Sequence, residues 1–276
     1  MFILQPSAQE QYLLELINRA RANPQAEVVR NGEISSLNDN LDPGTLNDTP
    51  KQPLAFDPAL IEASRNHSRW MLDTDVFSHI GEKNSDAGKR MVEAGYKFIG
   101  VYSWGENLSW AGTTGTLELD RTIATQHDEL FSSPVHRLNL MNGDYREIGL
   151  GVLTGDFLGY SAAVITQNFA ESGNEAFLTG VIYTDSEVDD DFYTIGEGLG
   201  DIRVEAVRQE DGATISTTNF ASGGYSLALV PGTYTVTFAG AGLGNPVTRT
   251  VTIGETNVKL DLATDTLSNS LATESF

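Results

Sequence analysis

The residues best suited to metal or acid–base chemistry are four histidines that lie close together in the chain. They are His67, His79, His127 and His136. The sequence has no cysteine, which excludes disulfides, thiolate metal sites and cysteine nucleophiles. Imidazole and carboxylate groups are the remaining side chains that bind borderline divalent metals and exchange protons near neutral pH. The clustering therefore predicts a site built from His, Asp and Glu.

Two of the histidines fall on predicted helices. Asp57-Pro58 supplies an N-cap followed by proline at the first helical position, and His67 lies on the apolar face of the helix that follows. His127 lies among apolar residues of a helix predicted from Leu117 to about Phe131. For both histidines, packing in the core is favoured over a ligand role.

The elements around them indicate an α+β first domain. Ser7 and Glu10 have the spacing of a capping box at the start of a first helix. A further helix is predicted from Ser85 to Ala94. Two strands joined by a short loop around Gly155-Asp156 follow the last helix.

The pattern changes beyond about Gly173, where short apolar runs alternate with turn pairs such as Asp211-Gly212 and Pro231-Gly232. This spacing is typical of a β-sandwich. The predicted organisation is an α+β domain over residues 1–172, a small all-β sandwich over 173–264, and a disordered tail over 265–276.

Charge and hydropathy argue against some classes of partner. The formal net charge is −21, which argues against nucleic acid as a partner and disfavours binding to an anionic membrane surface. No apolar stretch approaches the roughly 20 residues of a membrane-spanning helix. The amino terminus has no basic segment and no small-residue cleavage site, so we expect either export without a cleaved signal or a signal already removed.

Three of the chemically interesting residues stand in recognisable segments. His79 lies in FSHIGEKNS, Glu106 in WGENLSW and His136 in SSPVHRLNLMN. Together with LLELINRARANP, PLAFDPALIEASRNHSRWM and ITQNFA, these segments follow the order of the CAP superfamily of cysteine-rich secretory, antigen 5 and pathogenesis-related 1 proteins. Over roughly residues 8–170 the chain resembles the bacterial SCP-like form of that family.

The resemblance implies an α-β-α sandwich with a cleft that carries two histidines and two acidic residues and often binds zinc. His79 and His136 match the two family histidines, and Glu106 matches the first acid. Ser133 lies near the position of the second acid, and Glu129, one helical turn earlier, is a substitute candidate. Three ligands and water are then expected to hold the metal, with zinc as the expected ion.

The region around Glu106 has simpler explanations as well. Glu106 could hold backbone groups instead of touching a metal, and the residues leave these alternatives open. The flanking Trp104 and Trp110 are expected in the core or in the cleft wall rather than as a dedicated ligand platform.

A second candidate site is the acidic segment TDSEVDDDFYTIGEG in the β domain. Alternating acidic residues followed by a distal glutamate resemble calcium loops, although the EF-hand spacing and central glycine are not reproduced. The segment is similar to SdrD B-like and carboxypeptidase-regulatory-like modules. Calcium binding by this segment is favoured slightly over a solvated acidic loop without a bound ion. The candidate calcium ligands are Asp185, Glu187, Asp189, Asp191 and Glu197.

The leading functional hypothesis is a secreted bacterial CAP-domain protein. Its cleft binds a divalent metal and can take a small apolar or lipid-like ligand, while the β module serves as a spacer or attachment domain. One alternative is a metal-dependent protease or esterase that uses the same cleft, although no HExxH or GxSxG motif is visible. Another is a non-enzymatic adhesion or matrix protein, since one fold hosts many functions.

Overall fold

The computed structural model describes residues 4–264, so the predicted tail lies outside the described residues. The chain divides into two compact units, one containing residues 13–173 and the other containing 5–12 and the chain from 174 onward. Within the described part, no helix is long and apolar enough to cross a membrane.

The first unit is built on a four-stranded sheet. Its strands have the order β1-β3-β4-β2, with β1 parallel to β3 and the other neighbours antiparallel. The strands are β1 (Ala55–Phe56), β2 (Tyr102–Thr113), β3 (Glu147–Phe157) and β4 (Tyr160–Ser172). The α-helices of the described chain are α1 (Ala8–Ala22), α2 (Pro24–Asn31), α3 (Pro58–Thr74), α4 (Ala87–Glu93), α5 (Leu119–Ser132) and α6 (Pro134–Leu140), and residues 8–12 of α1 are assigned to the second unit.

Side-chain caps begin two of these helices as the sequence predicts. The Glu10 backbone N–H donates to Ser7 Oγ over 3.1 Å, and the Ser7 N–H donates to Glu10 Oε2 over 2.8 Å. These two hydrogen bonds form the reciprocal capping box. Asp57 accepts from the N–H groups of Ala59 and Leu60 and so begins α3.

Helices cover both faces of the sheet. Adjacent residues of a strand point to opposite faces. The Glu106 side chain bonds to Arg90 of α4, while the next residue, Asn107, bonds to Asn139 of α6. The helices α4 and α6 therefore lie on opposite faces, which confirms the α-β-α sandwich.

The close fit of α3 on the sheet depends on glycine. A Cβ added at Gly149 of β3 would lie 1.9 Å from the backbone carbon of Leu60, and one at Gly151 would lie 2.4 Å from that of Ser64. The hydroxyl of Ser64 donates to the carbonyl of Gly149 over 2.9 Å. This close approach fixes α3 and the segment that follows it over the sheet.

Some predicted boundaries are wrong. Gly155-Asp156 does not form the turn, because both residues continue the ladder between β3 and β4. The chain reverses at Leu158 and Gly159, which take positive φ values of 53° and 83°. Gly-Asp is an ordinary turn signal, but here a leucine adopts the left-handed conformation instead. The chain also forms α6 as a helix separate from α5, which the sequence analysis did not anticipate.

The second unit consists of strands, as the alternation of apolar runs predicts. One sheet has the order β10-β9-β6-β7, and β5 pairs with β8, β11 and β12 in the other. Side chains of both sheets share one core that includes Leu178, Val236 and Phe238. The strands are β5 (Ala176–Tyr183), β6 (Arg203–Arg208), β7 (Thr214–Thr218), β8 (Gly224–Leu229), β9 (Gly232–Ala239), β10 (Val247–Ile253), β11 (Val258–Lys259) and β12 (Leu262–Ala263).

Candidate functional site

His79 lies in the loop between α3 and α4 and contacts Glu106 of β2. Its Nδ1 atom is 2.8 Å from Oε1 of Glu106. An ionised carboxylate only accepts hydrogen bonds, so Nδ1 is the donor, and in the neutral tautomer of His79 the lone pair lies on Nε2. The His79 side chain is 58% exposed, so Nε2 can reach a ligand from solvent.

Glu106 is held from the other side by Arg90 of α4. The Glu106 side chain is only 3% exposed, and its Oε2 accepts from Nη2 of Arg90 over 2.5 Å. Nη1 of Arg90 also donates to the carbonyls of His79 and Ser85, over 3.1 and 2.7 Å. Both carboxylate oxygens of Glu106 are therefore engaged, and Arg90 ties the His79 loop to the sheet.

His136 lies on α6 and contacts the residue of β2 that follows Glu106. Its carbonyl accepts from Asn107, the neighbour of Glu106, over 3.2 Å, and its Nδ1 lies 2.9 Å from Oγ of Ser133. Burial lowers the pKa of His136, and the charge of His79 lowers it further. A lowered pKa favours the neutral form of His136, which is the form that binds metals.

The three predicted ligands do not form a closed metal cage. Among the described residues, three potential ligand atoms come within 4.8 Å of one another in the group Glu27, His127 and Asp128, and the set of His79, Glu106 and His136 does not meet that distance. Glu129 lies in α5, where its carbonyl accepts from the N–H of Ser133. It is not part of the group of three either.

The group around Glu27 connects three helices. Nε2 of His127 in α5 lies 3.3 Å from Oε1 of Glu27 in α2, and Arg19 of α1 donates to both carboxylate oxygens over 2.8 and 3.1 Å. Arg30 donates to Oε2 as well. Burial alone would raise the pKa of Glu27, but the hydrogen bonds and charges of His127 and Arg19 outweigh burial and lower it to about 2.

Glu27, His127 and Asp128 could hold a metal ion, but a cation would have to compete with the arginines bound to Glu27. Glu27 already receives two guanidinium groups, so a metal beside it would face two positive charges at close range. His127 is buried and stacks on Phe131, as the sequence predicts for a core residue. The group therefore forms a buried polar network that joins the helices.

This network was not predicted from the sequence. Glu27 and His127 are 100 positions apart, and Arg19 and Glu27 lie on separate helices divided at Asn23-Pro24. The only available signal was Glu27 itself, an acid in the first turn of a short helix, and that pattern is common on solvated helix ends.

The predicted calcium ligands lie in a loop that its own backbone stabilises. Glu197 is buried and accepts from the N–H groups of Glu187, Val188 and Thr194 over 2.9, 3.2 and 2.6 Å. Asp185 is buried and accepts from two further N–H groups of the same loop. Among the described residues, no three of these carboxylates meet the 4.8 Å distance, and calcium binding stays a prediction.

The two tryptophans beside Glu106 have different environments. Trp110 packs on Phe157, with ring centroids 5.1 Å apart, within an apolar cluster, as expected for the core. Trp104 is 39% exposed and lies against Gly88 of α4, where a Cβ would come within 2.7 Å of the indole nitrogen. Of the two predicted positions, core or cleft wall, Trp104 does not take the core one.

Comparison with solved structures finds several similar proteins. They include an extracellular protein containing an SCP domain from Bacillus anthracis, with 28% identity, 44% of this chain and 35% of that chain covered, and a TM-score of 0.33. An outer surface protein from Borrelia burgdorferi has 17% identity, 55% and 96% coverage, and a TM-score of 0.34. NaASP2, solved with Zn²⁺, has 13% identity, 62% and 83% coverage, and a TM-score of 0.38.

At these TM-scores none of the three similarities assigns a site or an activity to this chain. The chain spans only 35% of the length of the Bacillus anthracis protein. No curated protein sequence matches it. The model of the cysteine-rich secretory protein family, CAP, matches residues 14–169, which is more than half of the sequence. The match ends before the β module. The chain belongs to the cysteine-rich secretory protein (CAP) family.

Proposed function

We propose that this protein is a secreted CAP-domain protein whose cleft binds a divalent metal ion, with zinc as the expected ion. Nε2 of His79 and Nε2 of His136 are the proposed ligands, and water completes the coordination. The observation that carries the proposal is the 2.8 Å contact between Nδ1 of His79 and buried Glu106. A carboxylate partner of this kind fixes the tautomer and orientation of metal-binding imidazoles.

Glu106 takes the role of orienting partner in this proposal. Its second oxygen is bound to Arg90, and direct ligation would require Oε1 to leave Nδ1 of His79. The family resemblance predicts instead that Glu106 is itself a ligand. Removing a ligand would cost more metal affinity than removing an orienting partner. A bound divalent ion would supply a Lewis-acidic positive centre for anchoring or polarising an oxygen of a ligand.

Metal analysis tests the proposal directly. Protein purified without a histidine tag or chelator is expected to carry stoichiometric metal, and the His79→Ala/His136→Ala double variant is expected to lose it. Glu129→Gln is the matched control, since it removes the substitute acid from α5 and leaves both imidazoles in place. Wild-type protein that takes up no zinc, or a double variant that keeps it, would contradict the proposal.

We also propose an apolar ligand next to the metal. Phe77 and Ile80 flank His79 and are 44% and 47% exposed, while Val135 and Leu138 flank His136 and are 63% and 36% exposed. Exposed apolar side chains gathered beside polar groups are typical of ligand sites. A fluorescent fatty acid is expected to bind wild type more tightly than Phe77→Ser/Val135→Ser, with Val29→Ser, at an exposed position of α2, as the control.

The remaining proposals concern location and the second unit. Membership of a secretory protein family supports export, and detection of the intact chain only in cytosol would contradict it. For the β unit we propose a spacer or attachment role, stiffened by calcium at the acidic loop. A calcium-dependent rise in thermal stability that Asp189→Asn/Asp191→Asn removes would support calcium binding, and unchanged stability would contradict it.

A further inference from the structure

Aromatic side chains line a cavity of about 490 Å³ beside the start of β2. The aromatic residues of its lining are Phe98, Tyr102 and Trp104. Tyr102 and Trp104 are 54% and 39% exposed, so a ligand can reach them from solvent. Exposed aromatic side chains gathered around a concave surface are typical of ligand sites. Neither His79 nor His136 lines this cavity, so it is separate from the metal ligands proposed above.

Strand geometry and packing bring the three rings together. Tyr102 and Trp104 are two positions apart in β2, so both side chains point to the face of the sheet that α4 covers. Trp104 packs against Gly88 of α4, where a Cβ would come within 2.7 Å of the indole nitrogen. The ring centroids of Phe98 and Tyr102 are 4.8 Å apart, with an angle of 34° between the planes. The rings therefore form one aromatic wall.

The segment that carries Phe98 is fixed in place before any ligand binds. Tyr96 is buried and packs edge-on against Phe98, with ring centroids 5.0 Å apart and planes at 77°. The hydroxyl of Ser172 in β4 accepts from the N–H of Ile99 over 2.8 Å and donates to the carbonyl of Lys97 over 2.9 Å. A wall held in this way needs little further ordering on binding, which favours affinity.

The charged residues of the lining favour a cation. They are Asp86, Lys89 and Glu93. Nζ of Lys89 lies 3.8 Å from Oε1 of Glu93, so these two charges offset each other. Oδ1 of Asp86 accepts from the backbone N–H of Lys89 over 2.8 Å, a bond that leaves the negative charge of the carboxylate in place. The lining therefore has an excess of negative charge, and the net charge of −21 on the whole chain also attracts cations.

The aromatic wall selects among cations. Aromatic faces carry negative charge density and attract a cation held over them. A cation with N–H groups would lose hydrogen bonds to water against ring faces, which are poor acceptors. A quaternary ammonium group has no N–H to desolvate, and its methyl groups bury apolar surface against the rings. The combination of rings and carboxylate therefore favours a methylated cation.

We propose that this cavity binds a quaternary trimethylammonium group of the choline class. The methyl groups pack on Phe98, Tyr102 and Trp104, and the carboxylate of Asp86 supplies the opposite charge. A neutral apolar ligand could contact the same rings, but it would gain nothing from the acidic lining.

Titration of the full chain with choline tests the proposal. The matched control is 3,3-dimethylbutan-1-ol, which has the same shape with a carbon in place of the charged nitrogen. In ¹H–¹⁵N spectra choline is expected to shift the indole resonance of Trp104 in a saturable way and to leave that of Trp110, in its apolar cluster, unchanged. The neutral alcohol is expected to bind about 5-fold more weakly or less, because it lacks the cation–π attraction.

Two variants separate the contribution of charge from that of the rings. Asp86→Asn keeps an oxygen that can accept from the N–H of Lys89 but removes the charge, and it is expected to weaken choline binding about 3-fold. Tyr102→Leu keeps an apolar side chain but removes the ring, and it is expected to weaken binding about 5-fold. Val101→Ser is the control, since Val101 is 84% exposed beside the site and does not line the cavity.

A chelator is expected to leave choline binding unchanged, which separates this cavity from the metal cleft. Loss of binding in chelator would place choline at the metal instead and would overturn the proposal. No binding of choline, equal affinity for the neutral alcohol, or full affinity in either Asp86→Asn or Tyr102→Leu would also overturn it.

Discussion

Two regions of the CAP unit use the same three residue types, yet their surroundings give them different roles. In each region a buried glutamate contacts one histidine ring nitrogen and one or more arginines. Glu106 contacts His79 and Arg90. Glu27 contacts His127 and Arg19. The His79 side chain is 58% exposed, whereas that of His127 is 1% exposed. Whether the second ring nitrogen can reach solvent therefore separates a candidate ligand from a structural residue.

The balance of charge differs as well. Arg90 alone pairs with Glu106, so one positive and one negative group cancel beside His79. Glu27 pairs with both Arg19 and Arg30. A cation brought to the second region must compete with two guanidinium groups for Glu27, while only one guanidinium holds Glu106 in the first. We therefore expect metal at His79 and a contribution to folding stability at His127.

The largest expected effect is loss of folding stability in His127→Ala. Removing the buried ring leaves a cavity and deprives Glu27 of a donor, which together cost about 3 kcal/mol of the free energy of unfolding. Urea denaturation at neutral pH measures the change. His79→Ala is the matched control, and equal losses in both variants would contradict the contrast between the two regions.

A loss of folding stability of comparable size is expected at low pH, where Glu27 becomes protonated. The pKa of Glu27 is lowered to about 2, below its usual 4.5, so folding favours the ionised form. Its contribution is complete above about pH 4.5 and is lost as pH falls toward 2, with a size of about 3 kcal/mol. Urea midpoints of wild type and Glu27→Gln at pH 7, 5 and 3 measure it.

The stability difference between wild type and Glu27→Gln should narrow as the solution becomes more acidic. A difference that stays constant from pH 7 to 3 would show that Glu27 has an ordinary pKa in the folded protein. His67 affects stability over a higher pH range. Its pKa of about 4 lies below the usual 6.5, so its contribution to the free energy of unfolding is lost as pH falls from about 6.5 to 4. The range below pH 4 therefore lies outside the one in which the contribution of His67 is lost.

The distance in sequence between two partners decides whether their contact could be predicted. Local signals such as the Ser7–Glu10 capping box and the Asp57 N-cap were confirmed because both partners lie within three positions. The family resemblance selected His79, Glu106 and His136, and the fold brings His79 into contact with Glu106. Arg90 was not identified as the partner of Glu106, because a helical arginine has no sequence pattern that distinguishes an ion pair from a solvated surface.

Long-range polar contacts were beyond sequence reasoning. Arg137 illustrates this: it is fully buried, and its guanidinium donates to the carbonyls of Leu37, Phe131, Ser132 and Asp39. It thereby ties α6, which carries His136, to the long loop after α2. Backbone carbonyls carry no residue-type signal, so only the folded chain reveals such partners.

A smaller effect is expected on metal affinity in Glu106→Gln. The amide oxygen of glutamine can still accept from Nδ1 of His79, but a neutral partner makes the imidazole less basic. Zinc affinity should fall about 10-fold, at the low end of effects seen for outer-sphere partners. Competition with a chromophoric chelator measures it, and loss as complete as in His79→Ala would instead make Glu106 a direct ligand.

The smallest expected effect is on the stability of metal-free His79→Ala. The ring is mostly exposed and its hydrogen bond can be replaced by water, so the free energy of unfolding should change by less than about 0.5 kcal/mol. Added zinc should raise the melting temperature of wild type, because a ligand that binds only the folded state stabilises it, and should leave His79→Ala unchanged. A metal-free His79→Ala protein as unstable as His127→Ala would place both imidazoles in the core, and exposure would no longer separate ligand from structural histidine.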